Sequence, residues 1–100
     1  MSYADVEMKI VRWSEARRII QNSTAEAQLL KAVSEMGELA DATIKHDEDG
    51  IVDSVGDVMV CLVNYCTIKG ISLVNCMEVA YDQIQHRKGK LMPNGVFIKE

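Results

Sequence analysis

One hundred residues make a single small domain, residues 1–100, with no room for a second. A hydrophobic content of 48% and a mean hydropathy near zero are those of an ordinary globular chain. The net charge of −4, with basic residues scattered among acids, excludes a nucleic-acid polymer as the partner and leaves small phosphates open, since a metal can screen them.

Ser2, with Asp5 three residues on, predicts a capping box, and Val6, Ile10, Trp13 and Ile20 recur behind it at helical spacing, so a first helix is expected to about Ile20. Gln21-Asn22-Ser23-Thr24 interrupts it. Ser23 with Glu26 offers a second capping box, opening a helix through Leu29, Leu30, Val33, Met36, Ala40 and Ile44. An acidic link, 46–50, follows. The third helix is expected from about Ile51 through Lys69, stopping at Gly70, and Ser72 caps a fourth whose stripe is Leu73, Met77, Ala80 and Ile84. It ends before Gly89. Strand-like alternation is absent; Pro93-Asn94-Gly95 predicts a turn, and Val96-Phe97-Ile98 an apolar tail that docks on the bundle or on another subunit.

Residues 58–63 cover every side of the third helix with apolar groups, which predicts burial all round. Four helices of one chain hardly supply that, so the all-α bundle is expected to be completed by oligomerisation, with the third helix near the interface. The same run is too short to span a bilayer, and the polar N-terminus lacks a signal-peptide pattern; a cytoplasmic protein without membrane contact is expected. Cys61, Cys66 and Cys76 are odd in number and form no Cys-x-x-Cys pair, so they read as reduced core thiols. With His46 or His86 they fit no zinc spacing.

The chemistry concentrates in two short segments, Ser34-Glu35-Met36-Gly37-Glu38-Leu39 and Asp53-Ser54-Val55-Gly56-Asp57-Val58. Helical spacing puts Glu35 beside Glu38 and Asp53 beside Asp57. If the two helices pack antiparallel across the short link, four carboxylates converge. Two like charges at 4 Å repel by about 4 kcal/mol at an effective dielectric near 20, so a cation, a proton or splaying into water must relieve the site. Oxygen ligands without His or Cys select Mg²⁺ or Mn²⁺. The plain alternative is a solvated acidic face. Against it stand Gly37 and Gly56, each costing about 1 kcal/mol inside a helix and each directly before an acid, as if something approaches closely there.

These segments carry a resemblance. Gln28-Leu29-Leu30-Lys31-Ala32-Val33-Ser34-Glu35-Met36-Gly37-Glu38-Leu39, then Gly56-Asp57-Val58, then Arg87-Lys88-Gly89-Lys90 and Asn94-Gly95-Val96-Phe97 resemble the MazG-like all-α NTP pyrophosphohydrolases, close to the small phage and bacterial versions. The family pattern is a Glu-Glu-x-x-Glu block followed by Glu-x-x-Asp. The resemblance implies a Mg²⁺-dependent hydrolase that converts nucleoside triphosphates to monophosphate and pyrophosphate, a homodimer or homotetramer, in the host cytoplasm for a phage-encoded chain. Carried over by position, Glu35, Glu38 and Asp57 are metal ligands. Ser34 and Ser54 depart from the pattern, and Asp53, one turn before Asp57, is the candidate to stand in for the glutamate missing at Ser54. Glu35 and Glu38 are also the candidates to position or deprotonate the attacking water.

Further candidates each have two readings. Lys31 either touches phosphate or forms a helix ion pair with Glu35; Asn64 either contacts a nucleotide or hydrogen-bonds in the core. Arg87, which best matches a family arginine, with Lys88 and Lys90, clamps phosphates or caps a helix C-terminus. Trp13 stacks on a base or fills the core, while Arg17 and Arg18 read as phosphate contacts or solvated charge. The alternative to an enzyme is a non-catalytic helical assembly or regulatory protein. A redox carboxylate–metal protein would require Glu-x-x-His spacing, which Glu35 and Glu38 lack.

Overall fold

The computed structural model describes residues 1–100 as five helices followed by a short β-hairpin. Helix α1, Tyr3–Ala16, opens on the expected capping box: Ser2 Oγ accepts the Asp5 amide proton and Asp5 Oδ2 accepts that of Ser2, each at 3.1 Å. It ends earlier than periodicity predicts. Arg18 takes a left-handed φ of 62°, and the chain re-enters a single helical turn, α2, Ile19–Asn22. The break turns Ile19 and Ile20 so that α2 rests on α4, which an uninterrupted α1 could not do.

Helix α3, Ala25–Ile44, is capped by Thr24, whose hydroxyl accepts from the Ala27 amide at 3.1 Å. Ser23, the expected cap, instead accepts from the Gln28 side-chain amide at 3.0 Å. Helix α4, Glu48–Ile68, starts inside the expected acidic link, because Asp47 caps it by accepting from the Gly50 amide at 3.0 Å. Its end falls where predicted, with Gly70 supplying a φ of 76° that a side chain would resist. Helix α5, Leu73–Ile84, is capped by Ser72 as expected.

Sequence reading missed what fixes that last helix. Glu7 on α1 reaches the α5 N-terminus, where Oε2 accepts from the amides of Leu73 at 2.6 Å and Val74 at 3.2 Å, and Oε1 from Ser72 Oγ at 2.8 Å. A carboxylate there satisfies amides that have no helical partner and meets the positive end of the helix dipole. Glu7→Gln is therefore expected to lower stability by about 1–2 kcal/mol, read as a lower urea midpoint with an unchanged slope.

The absence of strands expected from the sequence does not hold at the C-terminus. β1, Gly89–Leu91, and β2, Phe97–Lys99, pair antiparallel with Gly89 opposite Lys99, Lys90 opposite Ile98 and Leu91 opposite Phe97. The predicted Pro93-Asn94-Gly95 turn joins them, with the Gly95 amide donating to Met92 O at 2.9 Å. Three-residue strands are too short to show alternation.

Helices α3 and α4 form the central hairpin, packed along their length, and α1, α2 and α5 lie against α4. Small residues seal the seam: Ala32, Ala42, Val58, Cys61, Val63 and Cys66 are buried, and the three cysteines are free. By length and composition α4 could cross a membrane. Its Asp49, Asp53, Asp57 and Asn64, and its four helical neighbours, make it the central helix of the domain instead. The all-round burial expected of residues 58–63 is not reached within one chain: Val58, Cys61 and Val63 are buried, but Met59 is exposed and Val60 and Leu62 are half-buried, and further up α4 Val52 and Val55 are exposed. On α3, Leu30, Val33 and Met36 are exposed as well. Gly37 and Gly56 do not mark a close approach within the chain, for a Cβ at either would meet nothing within 4 Å.

Candidate active site

On α3, Gln28, Lys31, Glu35 and Glu38 recur at intervals of three and four and so share one face; on α4, Asp53, Asp57, Cys61 and Asn64 do the same. The two faces meet beside α1 and α2 in a cleft of about 730 Å³. Lys31, Glu35, Asp57, Gln28, Cys61 and Asn64 line it together with Trp13, Arg17 and Asn22, and Trp13 and Asp57 also share a smaller recess with Lys9.

Glu35 is the buried member of the acidic set, 6% exposed. Its Oε1 pairs with Lys31 Nζ at 3.3 Å, while Oε2 is buried without a hydrogen-bond partner. Glu38 is exposed and lies outside the cleft lining, yet it is tied to Glu35. A hydrogen bond to Glu35 and then the charge of Glu35 raise the Glu38 carboxyl above its ordinary range, with Lys31 pulling the other way. Asp57 is raised too, first by lost solvation and then by Asp53 and Glu35. Asp53 stands on the exposed side of α4 and does not line the cleft; it acts on the site through Asp57. Ser54, at the position of the missing family glutamate, is buried at 6% exposure.

The convergence expected of four carboxylates is thus looser than a closed cage. No three His, Cys, Asp or Glu side chains come together tightly enough to enclose an ion. Repulsion is relieved by the Lys31 ammonium at Glu35, and what remains shows in the raised carboxyl of Glu38. The donor chemistry nevertheless suits a hard divalent cation: the groups are carboxylates, Glu38 is raised chiefly by Glu35 and Asp57 chiefly by lost solvation, and Glu35 Oε2 is an unpaired buried acceptor.

A polar network that sequence reading did not assemble crosses the cleft. Ser14, fully buried, donates its hydroxyl proton to Asn64 Oδ1; Asn64 Nδ2 donates to Gln28 Oε1 at 3.2 Å; and Gln28 Nε2 donates to Ser23 Oγ at 3.0 Å. It joins α1, α4 and α3 to the α2–α3 connection. Of the two readings of Asn64, the hydrogen-bonded core role is the one its contacts fill, although it also lines the cleft. The signal for Ser14 was present, since it follows Ile10 by four residues on the apolar stripe of α1, where a hydroxyl needs a partner. Cys61, expected as a reduced core thiol, is free and buried beside the acids, and burial followed by the charge of Glu35 pushes its thiol up.

Trp13 is not a core residue. It is 46% exposed at the cleft rim, with the Arg17 guanidinium 4.1 Å from its ring centroid. Arg18 also lines the cleft. Arg87 and Lys90 do not: Arg87 follows α5, Lys90 lies on β1, and both are exposed.

A family model, the MazG nucleotide pyrophosphohydrolase domain, matches residues 23–92. The chain belongs to this family. The match takes in α3, α4, α5 and β1, hence every acid of the site. An uncharacterised 18.2 kDa protein from the rep-hol intergenic region of Haemophilus phage HP1 is 39% identical over 54 residues, which are 54% of this chain. The match spans only 33% of that phage protein's length. Among solved structures, a cyanophage S-2L MazG-like pyrophosphohydrolase, described as bound to dGDP and three catalytic Mn²⁺ ions per active site, aligns with a TM-score of 0.71. The alignment covers 100% of this chain and 98% of that one at 19% identity, which establishes the all-α MazG fold.

Proposed function

We propose that the protein is a divalent-metal-dependent nucleoside triphosphate pyrophosphohydrolase, cleaving NTP or dNTP with water between the α and β phosphates to give the monophosphate and pyrophosphate. The observation that carries the reading is the buried Glu35, one oxygen on Lys31 and the other unpaired, in a nucleotide-sized cleft. Glu35, Glu38 and Asp57 would hold Mg²⁺, or Mn²⁺ as in the cyanophage relative, with Asp53 reaching in where Ser54 cannot. When bound, the cation neutralises phosphate charge and orients the attacking water.

The chain's own groups do the rest. Glu38, whose carboxyl holds a proton more tightly than usual, is suited to accept one from water. Lys31, exposed and at the rim, can turn from Glu35 to a phosphate. Trp13, with Arg17 on its ring, offers a flat surface for the base at the cleft rim. The exposed apolar residues of α3 and α4 fit a homodimer or homotetramer.

The test is pyrophosphate release across a panel of NTPs and dNTPs, with and without Mg²⁺ or Mn²⁺, starting with dGTP because the cyanophage relative holds dGDP. Release only with metal is the expected result; none from any nucleotide would favour a non-catalytic helical assembly. Metal binding must also compete with protons for Glu38, whose carboxyl is raised. Calorimetric affinity for Mg²⁺ is therefore expected to fall as pH is lowered through the raised carboxyl range, and to do so above the ordinary Glu value of 4.5.

A further inference from the structure

Asp57 borders two hollows. Besides the cleft, a recess of about 440 Å³ opens between α1 and α4, lined by Val6, Lys9, Ile10, Trp13, Asp57 and Val60. Trp13, Asp57 and Val60 line the cleft as well, so the two spaces share a wall. The charged groups of the recess are Asp57 and Lys9, and the rest of its lining is apolar.

Sequence reading passed over Lys9, although helix geometry explains its place. Lys9, Trp13 and Arg17 follow one another at intervals of four and form one stripe of α1. Arg17 lies 4.1 Å from the centroid of the Trp13 ring, and Lys9 comes one turn before that ring. Nothing in the chain pairs with Lys9. The one ion pair is Lys31 with Glu35, and Asp5, the acid one turn before Lys9, is engaged in the capping box with Ser2. Lys31 must leave Glu35 to reach a phosphate, whereas Lys9 is free from the start.

Lys9 and Asp57 share the recess without forming an ion pair, which leaves room between an ammonium and a carboxylate. A phosphate bridges such a gap: one side of it meets a cation held by the carboxylate, and the other accepts hydrogen bonds from the ammonium. The larger cleft has the volume that a nucleoside needs. The smaller recess suits the end of the phosphate chain, where apolar walls strengthen a charge contact.

We propose that Lys9 binds the β and γ phosphates of the substrate in this recess and so holds the leaving pyrophosphate. This deepens the pyrophosphohydrolase reading and rests on it. Water adds to the α phosphorus and gives its proton to Glu38. The bond from that phosphorus to the α–β bridging oxygen breaks, and the oxygen departs with the electron pair as part of pyrophosphate, whose charge the Lys9 ammonium meets.

Lys9→Gln and Lys9→Arg, with Arg12→Gln as control, test it. Lys9 and Arg12 are exposed, so the variants should fold, which circular dichroism checks. Arg12→Gln makes the same charge change on the same helix, yet Arg12 lines neither hollow. Calorimetry should find Mn²⁺-tripolyphosphate bound at least about ten-fold more weakly by Lys9→Gln, and as in wild type by Lys9→Arg and Arg12→Gln. In turnover, Lys9→Gln should weaken inhibition by pyrophosphate by the same factor and leave inhibition by the nucleoside monophosphate unchanged. Unchanged tripolyphosphate affinity in Lys9→Gln overturns the proposal. So does an equal loss in Lys9→Arg or Arg12→Gln, or monophosphate inhibition that weakens as much as pyrophosphate inhibition. With nucleotides still cleaved by wild type, each of these results leaves the hydrolase reading standing. Tripolyphosphate binding that depends on Lys9, in a protein that cleaves no nucleotide, keeps the polyphosphate site and overturns the hydrolase reading.

Discussion

Glu38→Gln is expected to abolish pyrophosphate release, by at least about a hundred-fold, the scale of losing one preorganised group that stabilises charge. The same substitution should make the metal-free protein more stable near neutral pH. Glu38 is exposed and interacts chiefly with Glu35, so the fold does not depend on its charge. Its carboxyl is raised first by a hydrogen bond to Glu35 and then by the charge of Glu35, with a smaller push from Asp57, so its ionised form repels its neighbours. A carboxyl raised in the folded state binds more proton there than in the unfolded chain, so stability falls as pH rises from the ordinary value of 4.5 through the raised one. Gln removes that fall. Metal-free melting curves of wild type and Glu38→Gln should coincide near pH 4 and separate as pH rises, with the variant melting higher at pH 7. Retained activity would remove Glu38 from the site; a lower melting temperature at pH 7 would show that its charge supports the fold.

Glu35→Gln separates the two carboxylates. It should also abolish release, but with no gain in stability, because Glu35 is buried and its ion pair with Lys31 is lost while an amide donor is left in a place that holds an unpaired acceptor. A site made of one buried and one exposed glutamate thus has two distinguishable stability signatures with one catalytic outcome.

What the sequence shows well is whatever depends on spacing within a helix. Glu35 and Glu38, Asp53 and Asp57, and the caps at Ser2 and Ser72 follow from intervals of three and four and from side chains that satisfy amides nearby. What it shows poorly depends on contacts across the fold. Arg18 adopts a left-handed conformation to lay α2 on α4, and nothing in an arginine's propensity announces that. Ser23 and Thr24 are equivalent as caps until Gln28, one turn into α3, engages Ser23. Glu7 reads as one more surface acid because its partners, Ser72, Leu73 and Val74, are more than sixty residues away. The family pattern has the complementary blind spot: it locates Ser54 where an acid belongs, but not that Ser54 is buried while the neighbouring Asp53 is exposed.

The buried network behind the cleft should be the largest single source of stability loss. Asn64→Leu removes the partner of both Ser14 and Gln28, and the apolar replacement can satisfy neither. Ser14 is fully buried, so its hydroxyl cannot turn to water. Gln28 is half-buried and recovers part of its loss. Each unsatisfied buried group costs ~1–3 kcal/mol, so about 3 kcal/mol is expected, a fall of more than about 10 °C in melting temperature for a domain of this size. Ser14→Ala alone should cost less, about 1–2 kcal/mol, since it leaves only Asn64 Oδ1 unpaired. The double variant discriminates between a network and two separate packing effects. If the side chains act as one unit, Ser14→Ala in the Asn64→Leu background should cost almost nothing or restore stability, a coupling of at least about 1 kcal/mol; additive losses would show that each residue merely fills space. Because Asn64 and Gln28 line the cleft as well as hold it, the same variants should raise KM for the nucleotide more than they lower kcat, whereas loss of an acid should strike kcat.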